Sequence, residues 1–484
     1  MMYDAVIIGA GLGGLTAAAI LARSGRKVLV IERSNSVGGA ASSYKVGDLF
    51  VEGSLHETSN PHHPNDAKHD ILKRAGVLDA VTWVPTGTLY EVRGGPLTTP
   101  FALPDNLAAG RVALRDRFPE ARDGIATLFT ELEKMASSSA ETSGDMTLAQ
   151  RLSQAFGGDE AAKCAIAANL WYTHDDASTL WWPVFARTQG ALLTHGARFI
   201  QGGSQRLSSA LARAVRAGGG QVLVRRTATR IALSDGGATV THSAKDGSDP
   251  QTVEARNVIG NASLDALAEL LPAAPAAALR EHANGRTPSI SLFAMTLGLS
   301  KPPREFGVSS YSTQLLPPWM TRLDQYIEGT SLMAHEPGER MPPLSVVDYS
   351  AIDSAVPAPP YVLSVIGPDQ LSNWGADDMD AYRDKRGRWQ DAIVAYLDGI
   401  YPGLAGAVVA SSFNTALSVR QYLNAPNGAV YGYAPLPPSP GIAPPTPPTG
   451  IPGFYLASNY GGTGGYTGAI TAGGACADII LGEG

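Results

Sequence analysis

The sequence predicts an α/β fold of two interleaved domains, a Rossmann-type nucleotide-binding domain and an α+β cap domain. Three observations lead to this prediction. The chain has 484 residues, which is more than one ordinary core accommodates. Its first residues alternate strand, glycine turn, helix and strand, and a second glycine-rich strand and helix occur near residue 460. The long stretches between these segments show helical and alternating patterns without such glycine turns.

The opening segment forms one predicted βαβ unit. Apolar residues 5–8 indicate a buried strand, a glycine turn follows, and residues 13–24 have helical spacing. A second continuous apolar run at 28–32 is typical of a parallel strand that is buried on both faces. We therefore expect the first glycine turn at the carboxyl end of a parallel strand.

Three later segments return to the same pattern. A helix over 204–217 is stopped by glycines and followed by a strand at 222–224, and a short buried strand covers 257–261. Beyond residue 453, a strand, a glycine-rich turn and a helix over 467–481 follow in order. These segments predict a discontinuous nucleotide-binding domain, which we assign to residues 1–85, 198–270 and 410–484.

The remaining residues are assigned to the cap domain, over 86–197 and 271–409. Its first part is mostly helical by pattern, and its second part combines alternating strands at 289–299 and 360–367 with a helix at 388–400. The proline-rich stretch 435–452 excludes a helix or an inner strand, so we expect a loop there.

Composition restricts the classes of function. A formal charge of -7 with a pI near 5.7 gives no basic surface for nucleic acid. Cys164 and Cys476 are the two cysteines, which excludes a disulfide framework and favours a reducing, cytoplasmic setting. No apolar run is long enough to span a bilayer, whereas peripheral contact with a membrane leaves no such trace and stays open.

The first glycine turn carries the chemistry of a dinucleotide site. Gly9, Gly11 and Gly14 form GxGxxG between a strand and a helix, so that backbone N–H groups and the helix dipole can approach a pyrophosphate. Leu12 and Gly13 lie inside this motif. Glu32, at the end of the second strand, is placed to accept hydrogen bonds from ribose hydroxyls and would repel a 2′-phosphate. The nucleotide is therefore FAD or NAD, and not NADP.

A second glycine pair decides between these two cofactors. Gly38 and Gly39, followed by Ala40, let another loop approach the diphosphate. Together with Glu32, this doublet resembles the GG motif of two-domain flavoproteins. The resemblance continues through residues 48–58, 202–211, 258–262 and 421–433 and the C-terminal glycine segment, which is roughly half of the chain. In this order the segments resemble the phytoene desaturase, carotenoid isomerase and retinol saturase group of FAD-dependent oxidoreductases. That resemblance implies an amine-oxidase-like two-domain flavoprotein fold with FAD as the cofactor.

The resemblance also implies further cofactor-binding residues. It places the C-terminal turn and helix start beneath the flavin pyrimidine, with Asn459, Gly465, Tyr466 and Thr467 as the residues carried over, and it adds Ala228 from the middle strands. Amine oxidases usually have arginine where this chain has Ser34 and Ala40. This departure points to the isomerase and saturase branch and leaves Arg33 as a candidate for neutralising the diphosphate.

Catalytic and substrate residues are less well marked. His56 lies in a segment that the resemblance runs past the flavin ring, and it is a candidate for proton transfer together with Tyr466, although a structural histidine is the simpler interpretation. Four aromatic residues are candidates for an apolar substrate pocket or for the core, namely Trp171, Tyr172, Trp181 and Trp182. The histidines His62, His63 and His69 lack carboxylate or cysteine neighbours at metal-binding spacing, so we expect loop residues and no metal.

The resulting hypothesis is an FAD-dependent oxidoreductase that desaturates a carbon–carbon bond of a small hydrophobic or ring-shaped substrate by hydride transfer to flavin N5. Double-bond isomerisation and saturation use the same cofactor site, and amine oxidation is a more distant alternative. A lipid-binding chaperone resembling the GDP-dissociation inhibitors is the non-enzymatic alternative. The electron acceptor stays open, with oxygen and a quinone as candidates.

Overall fold

A computed structural model describes residues 2–137, 144–375 and 377–482. The strands in this part of the chain are β1 (Met2–Ile8), β2 (Val28–Ile31), β3 (Ser43–Val46), β4 (Leu49–Glu52), β5 (Thr58–Ser59), β6 (Trp83–Pro85), β7 (Thr88–Gly94), β8 (Phe101–Pro104), β9 (Ala197–Ile200), β10 (Gln221–Leu223), β11 (Arg226–Ser234), β12 (Gly237–Ala244), β13 (Gln251–Gly260), β14 (Ser291–Leu299), β15 (Ser312–Leu316), β16 (Leu344–Asp348), β17 (Tyr361–Asp369), β18 (Val408–Asn414) and β19 (Phe454–Leu456).

The α-helices of the same part of the chain are α1 (Leu12–Arg23), α2 (His69–Arg74), α3 (Leu107–Arg117), α4 (Arg122–Met135), α5 (Leu148–Phe156), α6 (Glu160–Ala167), α7 (Trp182–His195), α8 (Gln205–Ala217), α9 (Leu264–Ala268), α10 (Ala273–Glu281), α11 (Tyr326–Thr330), α12 (Met379–Ile400), α13 (Leu404–Ala407), α14 (Ala416–Leu423) and α15 (Gly465–Leu481). Within the described residues, none of them is long and apolar enough to cross a membrane.

The first large sheet contains the predicted βαβ unit. Its strands follow the order β10-β2-β1-β13-β12-β11, and β19 pairs with the second half of β13. The four pairings that involve β1, β2, β10 and β19 are parallel, whereas β12 and β11 extend the sheet in antiparallel fashion. The parallel strand ends therefore meet at one edge of the sheet, which is where a nucleotide site is expected.

Both faces of this sheet are buried, which explains the continuous apolar strands. Ala5 and Ile7 contact a core formed with α1, α8 and α15, while the alternate residues Val6 and Ile8 contact a second core that includes Phe454. The prediction of a buried parallel strand is confirmed.

The second large sheet has the order β18-β14-β17-β16-β15-β7-β8 and is antiparallel except between β15 and β7. One face packs against α12, whose buried residues Trp389, Ile393 and Leu397 recur at helical spacing. The helices α3 to α7 form a further core with strands of this sheet. This arrangement confirms the predicted α/β fold with two kinds of sheet.

Several element boundaries differ from the prediction. The helix expected over 388–400 begins at Met379, because the Asp378 side chain accepts hydrogen bonds from the backbone of Asp380 and Ala381 and so caps a charged first turn that has no apolar pattern. β18 belongs to the second sheet through its pairing with β14, although its residues 410–414 were assigned to the nucleotide-binding domain. The other domain limits stay a prediction. The segment 435–452 contains neither helix nor strand, as expected.

Candidate functional site

The first glycine turn lies where β1, β2 and β13 end side by side. Gly9 has a φ of +98° and donates its backbone N–H to the carbonyl of Ile31 at 2.9 Å. Asn261, directly after β13, donates its side-chain amide to the carbonyl of Gly9 at 3.1 Å. A Cβ on Gly11 would lie 2.7 Å from that same amide nitrogen. The turn is therefore packed so closely that side chains are excluded, and its backbone faces the start of α1.

The next two glycines bring helices into contact. A Cβ on Gly13 would lie 1.6 Å from the carbonyl oxygen of Ala457, and one on Gly14 would lie 2.6 Å from that of Gly9. A Cβ on Gly473 of α15 would in turn lie 2.3 Å from the carbonyl oxygen of Gly13. The amino end of α1 thus packs closely against the middle of α15, with a glycine on each helix at the contact.

Glu32, the candidate ribose ligand, lies beside the glycine turn. Its side chain is buried directly beyond β2, and its two oxygens accept hydrogen bonds from the backbone N–H groups of Ala10 and Ser34 at 2.8 and 2.7 Å. A carboxylate can accept about four hydrogen bonds, so each oxygen keeps a lone pair for a hydroxyl. The carboxylate is therefore fixed beside the glycine turn and still able to bind.

The second glycine pair contacts the first turn directly. Gly38 donates its N–H to the carbonyl of Ala10 at 2.8 Å and pairs with Gly11 as an isolated parallel bridge. Gly38 and Gly39 both have positive φ values, +124° and +59°, and a Cβ on Gly39 would lie 3.4 Å from the Cα of Gly11. The two loops thus form one cradle lined by backbone, and Ala40 is exposed at its rim.

Two other predicted cofactor residues lie beside β2. Arg33 is exposed, and its guanidinium donates to the backbone carbonyl of Tyr422 at 2.8 Å. This contact holds the side chain at the surface, so its proposed role toward a diphosphate stays a prediction. Ala228 lies in β11 next to a register shift, two residues after Arg226, whose N–H donates to the carbonyl of Glu32 at 2.9 Å.

The C-terminal residues surround the start of α15. Gly465 has a φ of +80°, and Asn459 donates its side-chain amide to the carbonyl of Val430 at 3.2 Å. The Oδ1 of Asn459 and the hydroxyl of Tyr466 are buried and have no hydrogen-bond partner among the described residues. Burial, together with the nearby Glu52, raises the pKa of Tyr466 well above its usual value, so this hydroxyl stays protonated. Unsatisfied buried polar atoms at a helix start indicate a place where a ligand completes the hydrogen bonding.

Tyr431 connects this helix start to the aromatic segment. Its side chain packs against Gly464, where an added Cβ would lie 2.6 Å away, and its hydroxyl donates to the carbonyl of Trp171 at 3.2 Å. Nothing in its local pattern marks Tyr431 as functional, because its importance depends on contacts with residues distant in sequence.

The four predicted aromatic residues fall into two groups. Trp171 and Tyr172 lie against each other with ring centroids 4.5 Å apart, and Trp171 is 6.4 Å from the ring of His56. Trp182 instead contacts Phe185, and the indole of Trp181 donates to the carbonyl of Gly144 at 3.0 Å. Trp171 and Tyr172 are thus the two that lie beside the candidate site.

His56 is buried and hydrogen-bonded, with its Nδ1 2.8 Å from the hydroxyl of Tyr349. Burial lowers its pKa to about 4, so the imidazole is neutral near pH 7. Its backbone carbonyl accepts a hydrogen bond from the hydroxyl of Tyr311. These contacts fix the segment that carries the next residue, Glu57.

Glu57 is a functional candidate that the sequence reasoning missed. One carboxyl oxygen accepts a hydrogen bond from the hydroxyl of Tyr172, and the other is buried without a partner among the described residues. Burial raises its pKa to about 8; the hydrogen bond from Tyr172 opposes this rise and the charge of Asp105 adds to it. The signal in the sequence was its position directly after His56, but nothing there indicated its burial.

The three histidines without a metal pattern lie in the loop before α2 and at its start. His63 stacks on His195 with ring centroids 4.1 Å apart, His62 is 3.7 Å from the carboxylate of Asp79, and the Nδ1 of His69 is 2.8 Å from the carbonyl of Pro61. Across the described ranges, no group of three or more His, Cys, Asp or Glu residues is arranged to hold a metal ion.

The backbone cradle, the carboxylate with spare lone pairs and the unsatisfied polar atoms at α15 fit an extended dinucleotide such as FAD. Comparison with known proteins agrees. The sequence profile of the family described as flavin containing amine oxidoreductase matches residues 12–481.

Curated relatives and solved structures give the same picture. The chain is 23% identical to all-trans-retinol 13,14-reductase of Macaca fascicularis, over 89% of this chain and 77% of that protein. It is 34% identical to the chloroplastic prolycopene isomerase of Daucus carota, over 28% of this chain and 22% of that protein. Among solved structures, it resembles an oxidoreductase from Methanosarcina mazei with a TM-score of 0.67 and 18% identity, over 99% of each chain. Cyclohexylamine oxidase from Brevibacterium oxydans IH-35A has a TM-score of 0.62 at 17% identity, over 100% of this chain and 99% of that one.

Proposed function

The chain belongs to the flavin containing amine oxidoreductase family, and from this premise we propose that it transfers hydride between a carbon–carbon bond of an uncharged, hydrophobic substrate and bound FAD. It is an FAD-dependent oxidoreductase. This membership replaces the alternative of a lipid-binding chaperone without flavin. The bound flavin would supply the acceptor or donor for hydride, and the residues of this chain would bind and orient both reactants and move the proton.

For the cofactor, the proposal assigns the diphosphate to the cradle of Gly11 and Gly38 and the adenosine ribose to Glu32. The flavin pyrimidine is assigned to the start of α15, at Tyr466 and Thr467. Three features support this assignment: the backbone approach of the two glycine loops, the spare lone pairs of the Glu32 carboxylate and the positive end of the α15 dipole.

One observation carries the choice of substrate. His56 and Glu57 lie beside Trp171 and Tyr172, and both are uncharged near pH 7 because their pKa values are about 4 and about 8. A surrounding without a carboxylate charge favours an uncharged apolar molecule over an ammonium ion, which would gain from such a charge. Relatives named for acting on retinol and prolycopene support the same class of substrate, a polyene of retinoid or carotenoid type.

For the proton that accompanies hydride transfer, we propose Glu57 in place of His56. A carboxylic acid with a pKa of about 8 can donate a proton near neutral pH and also accept one. A neutral imidazole with a pKa of about 4 is a poor donor there. Tyr466, with its raised pKa, would bind through its hydroxyl and not transfer its proton.

Anaerobic spectroscopy of the flavin-loaded protein tests the proposal. Addition of 13,14-dihydroretinol to the oxidised protein bleaches the visible flavin band if the enzyme desaturates, and addition of all-trans-retinol to the chemically reduced protein restores the band if it saturates. A change in the isomers of prolycopene without a lasting spectral change identifies isomerisation.

Cyclohexylamine serves as the contrasting probe. The carbon–carbon proposal is overturned in favour of amine oxidation if this amine bleaches the oxidised protein while 13,14-dihydroretinol, all-trans-retinol and prolycopene give no response. The electron acceptor, oxygen or a quinone, and contact with a membrane surface stay predictions. Reoxidation rates with each acceptor would compare the first two.

A further inference from the structure

A buried lysine lies behind the first turn of α15. Lys68 has an exposed fraction of 0%. Its ammonium donates to the carboxylate of Asp66 at 2.8 Å, to the hydroxyl of Ser59 at 2.7 Å and to the hydroxyl of Thr467 at 3.3 Å. An ammonium has three N–H groups, so each finds one acceptor. The third contact connects Lys68 to a residue that we assign to the flavin pyrimidine.

The carboxylate of Asp66, the partner of Lys68, accepts four hydrogen bonds and has no free position. Besides Lys68, Asp66 accepts hydrogen bonds from Ser59 at 2.5 Å and from the backbone N–H of Lys68 at 3.0 Å, and its Oδ2 lies 3.1 Å from the Nδ1 of His195. Burial alone would raise the pKa of Asp66, but the ammonium of Lys68 and these hydrogen bonds outweigh burial and hold the pKa well below its usual range. The ion pair is therefore charged and fixed in orientation.

A gain in stability does not explain why Lys68 and Asp66 are buried together. Taking two charges out of water costs as much as their attraction returns, and apolar side chains of similar volume often stabilise a protein as well or better. The pair does, however, determine the state of one hydroxyl. Because Thr467 accepts from Lys68, its own hydrogen is left to donate elsewhere, and we find no acceptor for it among the described residues.

We propose that Lys68 is a positioning residue for the flavin, which polarises the hydroxyl of Thr467 so that this hydroxyl stabilises negative charge on the reduced pyrimidine. The inference rests on the proposed placement of FAD at α15. A hydroxyl that accepts from a cation donates a stronger hydrogen bond, and a fixed donor aimed at developing charge favours the charged state. Lys68 thus acts through Thr467, together with the dipole of α15, and makes the bound FAD easier to reduce.

Variants of the flavin-loaded protein test the inference. Thr467→Val removes the hydroxyl and keeps the branched shape, and the double variant Asp66→Asn, Lys68→Met removes both charges without leaving either unpaired. Lys73→Met is the matched control, because Lys73 is an exposed lysine in α2, which begins directly after Lys68. The readouts are the midpoint potential of the FAD and its affinity for sulfite, whose addition to flavin places negative charge on the pyrimidine.

We expect Thr467→Val and the double variant to bind sulfite about tenfold more weakly and to have a midpoint potential lower by about 30 mV, the equivalent of tenfold for two electrons. Combining all three substitutions should produce no larger shift than the double variant alone, because both act on the same hydrogen bond. Thr467→Ser, which keeps the hydroxyl, should have the wild-type potential and sulfite affinity. Lys73→Met should also match the wild type.

An unchanged potential and sulfite affinity in flavin-loaded Thr467→Val overturns the inference, and so do shifts that add fully in the combined variant. If the double variant does not fold, the midpoint potentials and sulfite affinities of Thr467→Val and Thr467→Ser still test the role of the hydroxyl. Wild-type protein that binds no FAD contradicts the proposed function itself, which is a different result from flavin bound with an unchanged potential.

Discussion

Around the first glycine turn, elements approach one another through backbone atoms, and a single added Cβ at Gly13 would lie 1.6 Å from a carbonyl oxygen. Around Trp171, the same site is lined by large side chains, with ring centroids 4.5 to 6.4 Å apart. Around the glycine turn, which is the proposed cofactor side, adding a side chain should disrupt the packing. Around Trp171, the aromatic side, the sensitive changes should be loss of a side chain or a change in its protonation. The first region thus depends on close approach of the backbone, and the second depends on the chemistry of its side chains.

The largest effect is expected at Gly13. Gly13→Ala forces α1 away from Ala457 and should destabilise the protein by about 3 kcal/mol or more, the upper part of the range for overpacking. The measurement is the urea midpoint of unfolding, together with FAD occupancy. The control is Gly387→Ala in α12, where no atom lies within 4 Å of the added Cβ; there we expect a gain of about 1 kcal/mol, as for alanine in a helix interior. Equal stability of Gly13→Ala and wild type contradicts the close packing.

A smaller effect is expected at Glu32. Glu32→Ala removes the proposed ribose acceptor and should weaken FAD binding by about 1–3 kcal/mol, the size of a lost hydrogen bond to a charged group. Titration of the apoprotein with FAD measures it. Glu254→Ala, an exposed carboxylate in β13 of the same sheet, serves as control. Identical FAD affinity in both variants would refute the assignment of Glu32.

A further effect concerns pH, on the aromatic side. A glutamic acid whose pKa rises from 4.5 unfolded to about 8 folded binds its proton more tightly in the folded protein. Its contribution to the free energy of unfolding is therefore favourable at low pH and is lost as pH rises between these two values. In Glu57→Gln this dependence should disappear. Urea unfolding of both proteins at several pH values measures the difference, and parallel curves would contradict the raised pKa.

The same contrast explains what could be predicted from the sequence. Gly9, Gly11, Gly14 and Glu32 lie within one βαβ unit, so their spacing alone indicates how they meet, and the fold class, the flavin family and FAD are confirmed. Backbone recognition leaves a short, readable pattern because only glycine fits such positions.

Glu57, Tyr431 and Lys68 could not be predicted in this way. Their significance depends on contacts with Tyr172, Trp171 and Thr467, which lie on other elements distant in sequence. Burial, which sets the pKa of Glu57, is a property of the assembled fold and not of local sequence. For the same reason, the sequence did not separate Trp171 and Tyr172 from Trp181 and Trp182, although all four lie within one short segment.

The order of strands in the first sheet affects when its contacts can form during synthesis and folding. β1 pairs with β13, and Asn261 contacts the carbonyl of Gly9 from 252 residues away, while the carbonyl of Ala457 in turn lies against Gly13. A growing chain that has produced only the glycine motif has no neighbour to hold that motif in shape, and closing such long loops costs entropy before any contact forms. The cofactor cradle is thus completed late, when residues 454–481 arrive, and FAD then binds a folded state that it stabilises by mass action. We therefore expect flavin binding, and with it the yellow colour, only after residues 454–481 have been made.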